Sequence, residues 1–125
     1  MRVLISGSSG FIGSALVSHL ESTGHDVTRL ARSRSGVNES SVFWDPERGE
    51  LDPANLNGFD AVIHLGGESM TSHRWSQAQK DRIHNSRVNS TELLARAFQT
   101  ATDPPSVFLC ASASGFYGDR GDQVL

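Results

Sequence analysis

The chain has 125 residues, of which 37% are hydrophobic and 20% charged, and its formal net charge is -3. These proportions are ordinary for one folded globular domain, and the acidic balance argues against nucleic-acid binding through phosphate contacts. The single cysteine, Cys110, excludes an internal disulfide and a cysteine-rich zinc site. No apolar run approaches the ~20 residues of a membrane span, and residues 1–6 lack a signal-peptide layout, so the cytoplasm is the expected compartment.

The first part of the chain alternates strand-like and helical patterns. Residues 2–6 are a short apolar run that predicts a strand, and residues 11–23 have the apolar spacing of a helix. The stripe expected to face the core consists of Ile12, Ala15, Leu16 and Leu20. Gly24 then stands where a helix-ending left-handed residue is needed. Further strands are predicted over 26–31 and 42–45, separated by a polar loop.

The second part of the chain continues this alternation. Residues 60–65 form a nearly continuous apolar run, which is typical of a strand buried on both faces. A long helix is predicted over 75–101, and a last buried strand over 106–112 includes Cys110 as a small buried hydrophobe. Repeated strand–helix–strand units imply right-handed crossovers. We therefore predict one α/β domain over 1–125, a Rossmann-type doubly wound parallel sheet with strand order 3-2-1-4-5.

The strongest chemical signal is the glycine-rich turn between the first strand and the first helix, Gly7-Ser8-Ser9-Gly10-Phe11-Ile12-Gly13. In this position Gly7 allows the tight turn, Gly10 lets the backbone approach a pyrophosphate, and Gly13 lets the helix pack on the sheet. Free N–H groups and the positive end of the helix dipole then face the phosphates. The turn predicts a dinucleotide site, and a turn that only packs is the alternative.

The end of the second predicted strand favours NADP over NAD. An NAD site usually has an Asp or Glu about 20 residues after the turn, where the carboxylate accepts from the ribose 2′-OH. This segment has no carboxylate and instead contains Arg32, Ser33 and Arg34. The two arginines offer forked N–H donors to a 2′-phosphate, and Ser33 adds a hydroxyl donor. The alternative is that both arginines are solvated loop charges.

The five histidines show no metal-ligand spacing, so no metal site is predicted. His64 stands at the end of a buried strand. It is predicted to be a hydrogen-bonded core residue rather than a catalytic one.

Three segments carry a family resemblance: the turn at 7–13, DAVIHLGG at 60–67 and ASGFYGD at 113–119. Together they resemble the extended short-chain dehydrogenase/reductases, also called the NAD-dependent epimerase/dehydratase superfamily. Further segments resemble its YfcH-like branch of "epimerase family proteins", namely Phe43–Pro46, Arg74–Ser76, Lys80, Ser86–Val88 and Ala111–Asp122. The resemblance covers essentially all of this chain but less than half of a family member. The chain is therefore expected to be the N-terminal portion of a larger protein.

The resemblance implies a cofactor site at the ends of the strands. The pyrophosphate would be lined by Gly7, Ser8, Ser9, Gly10, Phe11 and Ile12. Arg32 would meet the 2′-phosphate. Residues Leu65, Gly66 and Gly67 would pass beneath the adenosine ribose and pyrophosphate.

Two interpretations of Trp44 and Asp45 are open. In the first, both residues flank the adenine, and the Asp45 carboxylate accepts from its amino group. In the second, Trp44 belongs to the core and Asp45 caps the turn before Pro46.

The family's catalytic machinery is a Ser or Thr, a Tyr and a Lys four residues after that Tyr. Here Tyr117 and Lys80 are the only residues of their kinds, and they do not form such a pair. The family's serine aligns with Ala113, so the candidate catalytic hydroxyls are those of Ser112 and Ser114. Alternate side chains leave a strand in opposite directions, so at most one of the two is expected to face the nicotinamide.

The resemblance implies the NADP-binding part of an epimerase/dehydratase-type oxidoreductase. Such a protein transfers hydride at a hydroxyl or carbonyl carbon of a small, nucleotide-sugar-like substrate. The substrate site is expected beyond this chain, and the chain alone is predicted to be inactive. A non-catalytic NADP-binding regulatory or scaffold module is the alternative. A sheet that stops after its fifth strand leaves apolar surface and an edge uncovered, so self-association is also expected.

Overall fold

The computed structural model describes residues 1–34, 40–70, 74–112, 119, 121 and 122. Its strands are β1 (Arg2–Ser6), β2 (Asp26–Ala31), β3 (Ser41–Phe43), β4 (Ala61–His64) and β5 (Val107–Cys110). Its helices are α1 (Phe11–Ser22), α2 (Gln77–Thr100) and a short 3-10 helix (Pro53–Leu56). Within these residues the strands pair in parallel in the order β3-β2-β1-β4-β5, which confirms the predicted α/β architecture.

The predicted element borders lie within two residues of the observed ones. β3 ends at Phe43 because the backbone groups of Asp45 and Glu50 hydrogen-bond to each other at 2.8 Å and close a turn. α2 begins at Gln77 because the Ser76 hydroxyl accepts from the Gln79 N–H and caps the helix. Gly24 follows α1 with a φ of 82°, as its predicted place at the helix end requires.

Alternate side chains of the buried strands enter two separate cores. Leu4 and Val62 lie on the α2 side of the sheet, whereas Val3 and Ile5 lie on the α1 side. The α2-side core consists of Leu4, Leu30, Trp44, Leu56, Val62, Leu94 and Ala97. The α1-side core consists of Val3, Ile5, Val17, Val27 and Ala61. Helices therefore cover both faces of the central strands, as the continuous apolar runs predicted.

The predicted core stripe of α1 is wrong at two of its four positions. Ile12 is 66% exposed and Ala15 is also exposed, whereas Val17 is buried, with Leu16 packed beside it. The physical reason is that α1 approaches the glycine-rich turn closely at Gly13, where no side chain separates the helix from the turn. The face of α1 that meets the sheet therefore includes Gly13 and Val17, each one residue after a position of the predicted stripe.

The prediction that the last strand is buried, with Cys110 as a small buried hydrophobe, is also wrong, because three of the four β5 residues, Cys110 among them, are exposed. β5 is the edge strand of the sheet, and only Phe108 packs well, against Phe98 of α2, with ring centroids 5.1 Å apart. On the opposite face Val107 and Leu109 are 40% and 54% exposed. Self-association through this face stays a prediction.

Neither long helix among the described residues has the apolar length needed to span a membrane.

Candidate functional site

A cavity of about 800 Å³ opens at the carboxyl edge of the sheet. This is where ligands bind in doubly wound α/β folds, and the volume suits a ligand of cofactor size. Its wall is formed by residues 7–10, 29–33 and 65–68. The β3 side contributes Ser41, Trp44, Pro46 and Glu47, and α2 contributes Arg82, Asn85, Ser86, Asn89 and Ser90. The structure thus brings together the glycine-rich turn, the end of β2 and the loop after β4, as predicted from the sequence.

Two glycines of the turn are required by packing within the protein. Gly7 has a φ of 71°, and a Cβ there would lie 2.7 Å from the carbonyl carbon and oxygen of Leu65. A Cβ on Gly13 would overlap the Gly7 carbonyl oxygen. The turn therefore packs directly on the loop after β4, and α1 packs directly on the turn.

Gly10 has a different role, because a Cβ there would meet only the Gly7 carbonyl oxygen, at 3.2 Å. Gly10 lines the cavity, so a side chain at this position would lie at the cavity surface rather than within the packed interior. Gly10 is also the N-cap of α1, and because glycine has no side chain, no side-chain cap satisfies the N–H groups of the first turn. Open space beside unfilled helix N–H donors fits a phosphate group of a ligand.

Unlike Gly10, the next two residues, Phe11 and Ile12, do not face the cavity with their side chains. Their side chains are 97% and 66% exposed, and they do not line the cavity. The implied pyrophosphate role can therefore involve only their backbone, which begins α1.

The structure separates the two arginines that follow β2. Arg32 and Ser33 line the cavity, and within the described residues the Arg32 guanidinium has no carboxylate partner or hydrogen bond. Arg34 lies outside the cavity, where its Nη2 contacts Glu50 Oε2 at 3.1 Å and its guanidinium lies 3.9 Å above the Phe43 ring. Only Arg32 of this pair is left to bind an anion in the cavity.

The structure assigns Asp45 to the turn. Its Oδ1 accepts from the N–H groups of Glu47 and Arg48, at 3.0 and 3.1 Å, and it does not line the cavity. Trp44 is 3% exposed and belongs to the α2-side core, yet it also forms part of the cavity wall. The second sequence interpretation therefore describes Asp45, and Trp44 is a core residue that also lines the cavity.

The loop after β4 is held between the sheet and α2. A Cβ on Gly66 would lie 3.2 Å from Ser6 Oγ, and one on Gly67 would lie 3.1 Å from Arg87 Cζ. Arg87 Nη1 donates to the carbonyl oxygens of Glu68 and Ile83, at 3.2 and 3.1 Å. Glycine residues let this loop pass close to both neighbours while it lines the cavity.

His64 is a buried, hydrogen-bonded residue, which confirms the sequence prediction. The side chain is 3% exposed, its Nδ1 contacts Ser6 Oγ, and its Nε2 lies 2.9 Å from Ser90 Oγ. The Trp44 ring meets the imidazole edge-on, with centroids 5.9 Å apart. The histidine therefore joins β1, β4 and α2 beneath the cavity.

Burial lowers the pKa of His64 below its ordinary value of 6.5. The unfolded chain therefore takes up this proton more readily, and the contribution of His64 to stability is complete above about pH 6.5 and is lost at lower pH. We expect the free energy of unfolding to fall between pH 7 and pH 5, with a smaller fall in His64→Gln. Urea unfolding at several pH values measures this, with the exposed His84→Gln as the control. An equal fall in His64→Gln and in the unchanged chain would contradict the assignment.

Of the two candidate catalytic hydroxyls, only that of Ser112 belongs to a described residue. Ser112 is exposed and does not line the cavity. Ser114 and Tyr117 lie outside the described residues.

The α2 wall of the cavity was missed by the sequence interpretation. Arg82, Asn85 and Asn89 recur at helical spacing on the face that meets the cavity. Arg82 is held by Gln79, a fully buried side chain whose Oε1 accepts from Arg82 Nε at 3.1 Å and whose Nε2 donates to the Ser69 carbonyl oxygen. A polar stripe starting at the carboxyl edge of the sheet is the signal that could have revealed this wall.

Comparisons with known proteins agree with this architecture. The Mycobacterium bovis protein named "Epimerase family protein Mb2239" is 42% identical over 123 residues, which cover 98% of this chain and 40% of that protein. The crystal structure of human epimerase family protein SDR39U1 (isoform2) with NADPH gives a TM-score of 0.79 at 33% identity, over 94% of this chain and 38% of that one. The structure of MoeE5 in complex with UDP-glucose and NAD gives a TM-score of 0.73 at 28% identity, over 100% and 40%.

This chain therefore spans about 40% of the length of the curated relatives it matches. The profile described as "NAD dependent epimerase/dehydratase family" matches residues 3–124. On this match, which takes in nearly every residue, the chain belongs to the NAD dependent epimerase/dehydratase family.

Proposed function

We propose that this chain is the NADP-binding part of an epimerase/dehydratase-type oxidoreductase. The observation that carries the proposal is the Arg32 guanidinium, which lines the same cavity as the glycine-rich turn and has no partner among the described residues. No carboxylate stands at the end of β2 to accept from a ribose 2′-OH, whereas a guanidinium fork suits a 2′-phosphate. NADPH bound to human SDR39U1 supports this choice, and NAD bound to MoeE5 makes NAD the competitor.

The described residues fit the dinucleotide. Residues 7–10 and the first turn of α1 would hold the pyrophosphate, since the open space at Gly10 lets a phosphate approach the backbone. The loop at 65–67 would support the ribose and pyrophosphate from below. When bound, NADP supplies the hydride chemistry, at a hydroxyl or carbonyl carbon of the substrate.

The substrate class is proposed from the relatives. MoeE5 has UDP-glucose bound beside NAD, which favours a nucleotide-sugar-like substrate for the whole protein. This chain has no Tyr-x-x-x-Lys pair, so on its own it would bind the cofactor without turnover. The missing pair also keeps a second candidate, a non-catalytic NADP-binding regulatory or scaffold module. A Tyr-x-x-x-Lys pair in a longer form of the protein would favour the enzyme.

Nucleotide titration tests the proposed cofactor. We expect NADPH to bind about tenfold or more tightly than NADH, because a charge-assisted contact to the 2′-phosphate is worth about 1.5–3 kcal/mol. Adenosine 2′,5′-bisphosphate compared with adenosine 5′-phosphate isolates the contribution of that phosphate. Equal affinities, or tighter NADH binding, would overturn the preference for NADP. Failure of both dinucleotides to bind would overturn the site itself.

A further inference from the structure

A buried chain of hydrogen bonds runs beneath the cavity from the loop after β4 to α2. The Gly66 N–H donates to Ser6 Oγ at 3.2 Å, and Ser6 Oγ contacts His64 Nδ1. On the other side of the imidazole, His64 Nε2 lies 2.9 Å from Ser90 Oγ. The side chains of Ser6, His64 and Ser90 are 0%, 3% and 2% exposed, so water has little access to these hydrogen bonds.

The direction of each hydrogen bond follows from the acceptors around Ser90. Ser90 Oγ lies 2.6 Å from the Ser86 carbonyl oxygen and 3.1 Å from the Arg87 carbonyl oxygen, and both of these can only accept. Its single proton therefore points to a backbone carbonyl, and its oxygen accepts from His64 Nε2–H. His64 Nδ1 is then the acceptor of the Ser6 hydroxyl proton, which leaves the Ser6 oxygen to accept from the Gly66 N–H.

We propose that His64 is a positioning residue for the dinucleotide site: its neutral Nε2–H form orients Ser6 to hold the Gly66 N–H, and its protonation in acid releases that hold and weakens dinucleotide binding. Gly66 lies in the cavity wall between Leu65 and Gly67, so its position affects the surface that meets the ligand. This inference rests on the proposed function, because it names what sets the shape of the same site.

Protonation has a definite consequence at Ser6. A proton on His64 Nδ1 makes that atom a donor, so the Ser6 hydroxyl proton loses its acceptor. Ser6 could then continue to accept from Gly66 only with its own proton unpaired in a fully buried place. A buried unpaired donor is unfavourable, so the Ser6 side chain rotates about χ1 to pair its proton, and its oxygen moves away from the Gly66 N–H.

The groups around His64 offer little to hold a proton. On the neighbouring elements, Cys110 of β5 stands beside His64 in the strand register, Arg87 of α2 lies over Gly67, and Glu68 follows the loop. Both of the hydrogen bonds that the ring makes with described residues have a serine hydroxyl as partner, Ser6 as donor and Ser90 as acceptor. Burial also lowers the pKa of the imidazole, which favours the neutral form that the geometry requires.

Two matched variants separate the two sides of the ring. His64→Asn places an amide near Nδ1 and keeps a partner for Ser6, whereas His64→Gln places one near Nε2 and keeps a partner for Ser90. Both remove the titrating ring and its edge-on contact with Trp44, so the loss of the ring affects both variants and the position of the amide distinguishes them. We expect His64→Gln to weaken NADPH binding about fivefold at pH 7.5, the value of one lost hydrogen bond, and His64→Asn to stay within about twofold.

The pH profile supplies a readout that packing does not move. We expect NADPH binding to weaken between pH 7.5 and pH 5.5, and to weaken less in His64→Asn. A phosphate monoester itself titrates near pH 6, so the dependence that remains in His64→Asn belongs to the ligand. Identical affinities in the two variants, or identical pH profiles in His64→Asn and the unchanged chain, would overturn the proposal.

Amide exchange of Gly66, followed by NMR without ligand, separates this inference from the proposed function. We expect protection of the Gly66 N–H in the unchanged chain and in His64→Asn, and faster exchange in His64→Gln. Failure of both dinucleotides to bind would remove the proposed function, whereas equal exchange in all three would remove the positioning role. If neither variant folds, the tautomer of His64 in the unchanged chain decides, and an Nδ1–H tautomer would overturn the proposal.

Discussion

Replacing Arg32 by alanine is expected to weaken NADPH binding by about tenfold to a hundredfold and to leave NADH binding within about twofold. Arg32 lines the cavity without a carboxylate partner in the described part of the chain, so its guanidinium is available to the 2′-phosphate that only NADPH carries. Fluorescence or calorimetric titration of both dinucleotides measures the ratio.

Arg34→Ala is the matched control, since it removes the same charge two residues away. Arg34 is already paired with Glu50 and stacked on Phe43 outside the cavity, so NADPH affinity should change by less than about twofold. Equal losses in the two variants would show that overall charge, rather than a contact from Arg32, attracts the ligand. A loss of NADH binding in Arg32→Ala would place the arginine at another part of the dinucleotide.

Gly13→Ala is expected to lower the free energy of unfolding by about 3 kcal/mol or more. The added Cβ would overlap the Gly7 carbonyl oxygen, and that atom belongs to a turn that already presses on the Leu65 backbone. Neither backbone segment can move away without opening the contact between α1 and the sheet. Urea or thermal unfolding followed by circular dichroism measures the loss.

Gly24→Ala is the control for the backbone cost of losing a glycine. Gly24 has a φ of 82°, yet its added Cβ would meet nothing within 4 Å, so only the left-handed strain of about 1 kcal/mol applies. Gly13→Ala must therefore cost clearly more than Gly24→Ala. Similar losses in the two variants would mean that the packing of α1 on the turn is looser than the structure shows.

Most of the fold could be predicted because its signals are local. The apolar runs at β1 and β4, the helical spacing of α1 and α2 and the glycine after α1 depend on near neighbours in the sequence. The exceptions lie where packing that the apolar pattern does not encode decides. The buried face of α1 differs from the predicted stripe because Gly13 packs on Gly7. Cys110 is exposed because β5 is the edge strand of the sheet.

The candidate site divides in the same way. The glycine-rich turn and the residues after β2 could be recognised as a dinucleotide site, because each lies on one short segment. The α2 wall could not, since Arg82 and Asn89 reach the cavity only after a long crossover places the helix beside the loop after β4. The roles of Arg32 and Arg34 likewise depended on Glu50, which is distant in sequence.

By itself, the sequence determined the architecture, the family resemblance and the location of the glycine-rich turn, because periodicity and glycine spacing are written along one segment. Only the tertiary structure decided which side chains meet. It separated Arg32 from Arg34, and it placed His64 between Ser6 and Ser90 beneath the cavity. These outcomes depend on contacts between elements far apart in the chain, and no local pattern specifies such contacts.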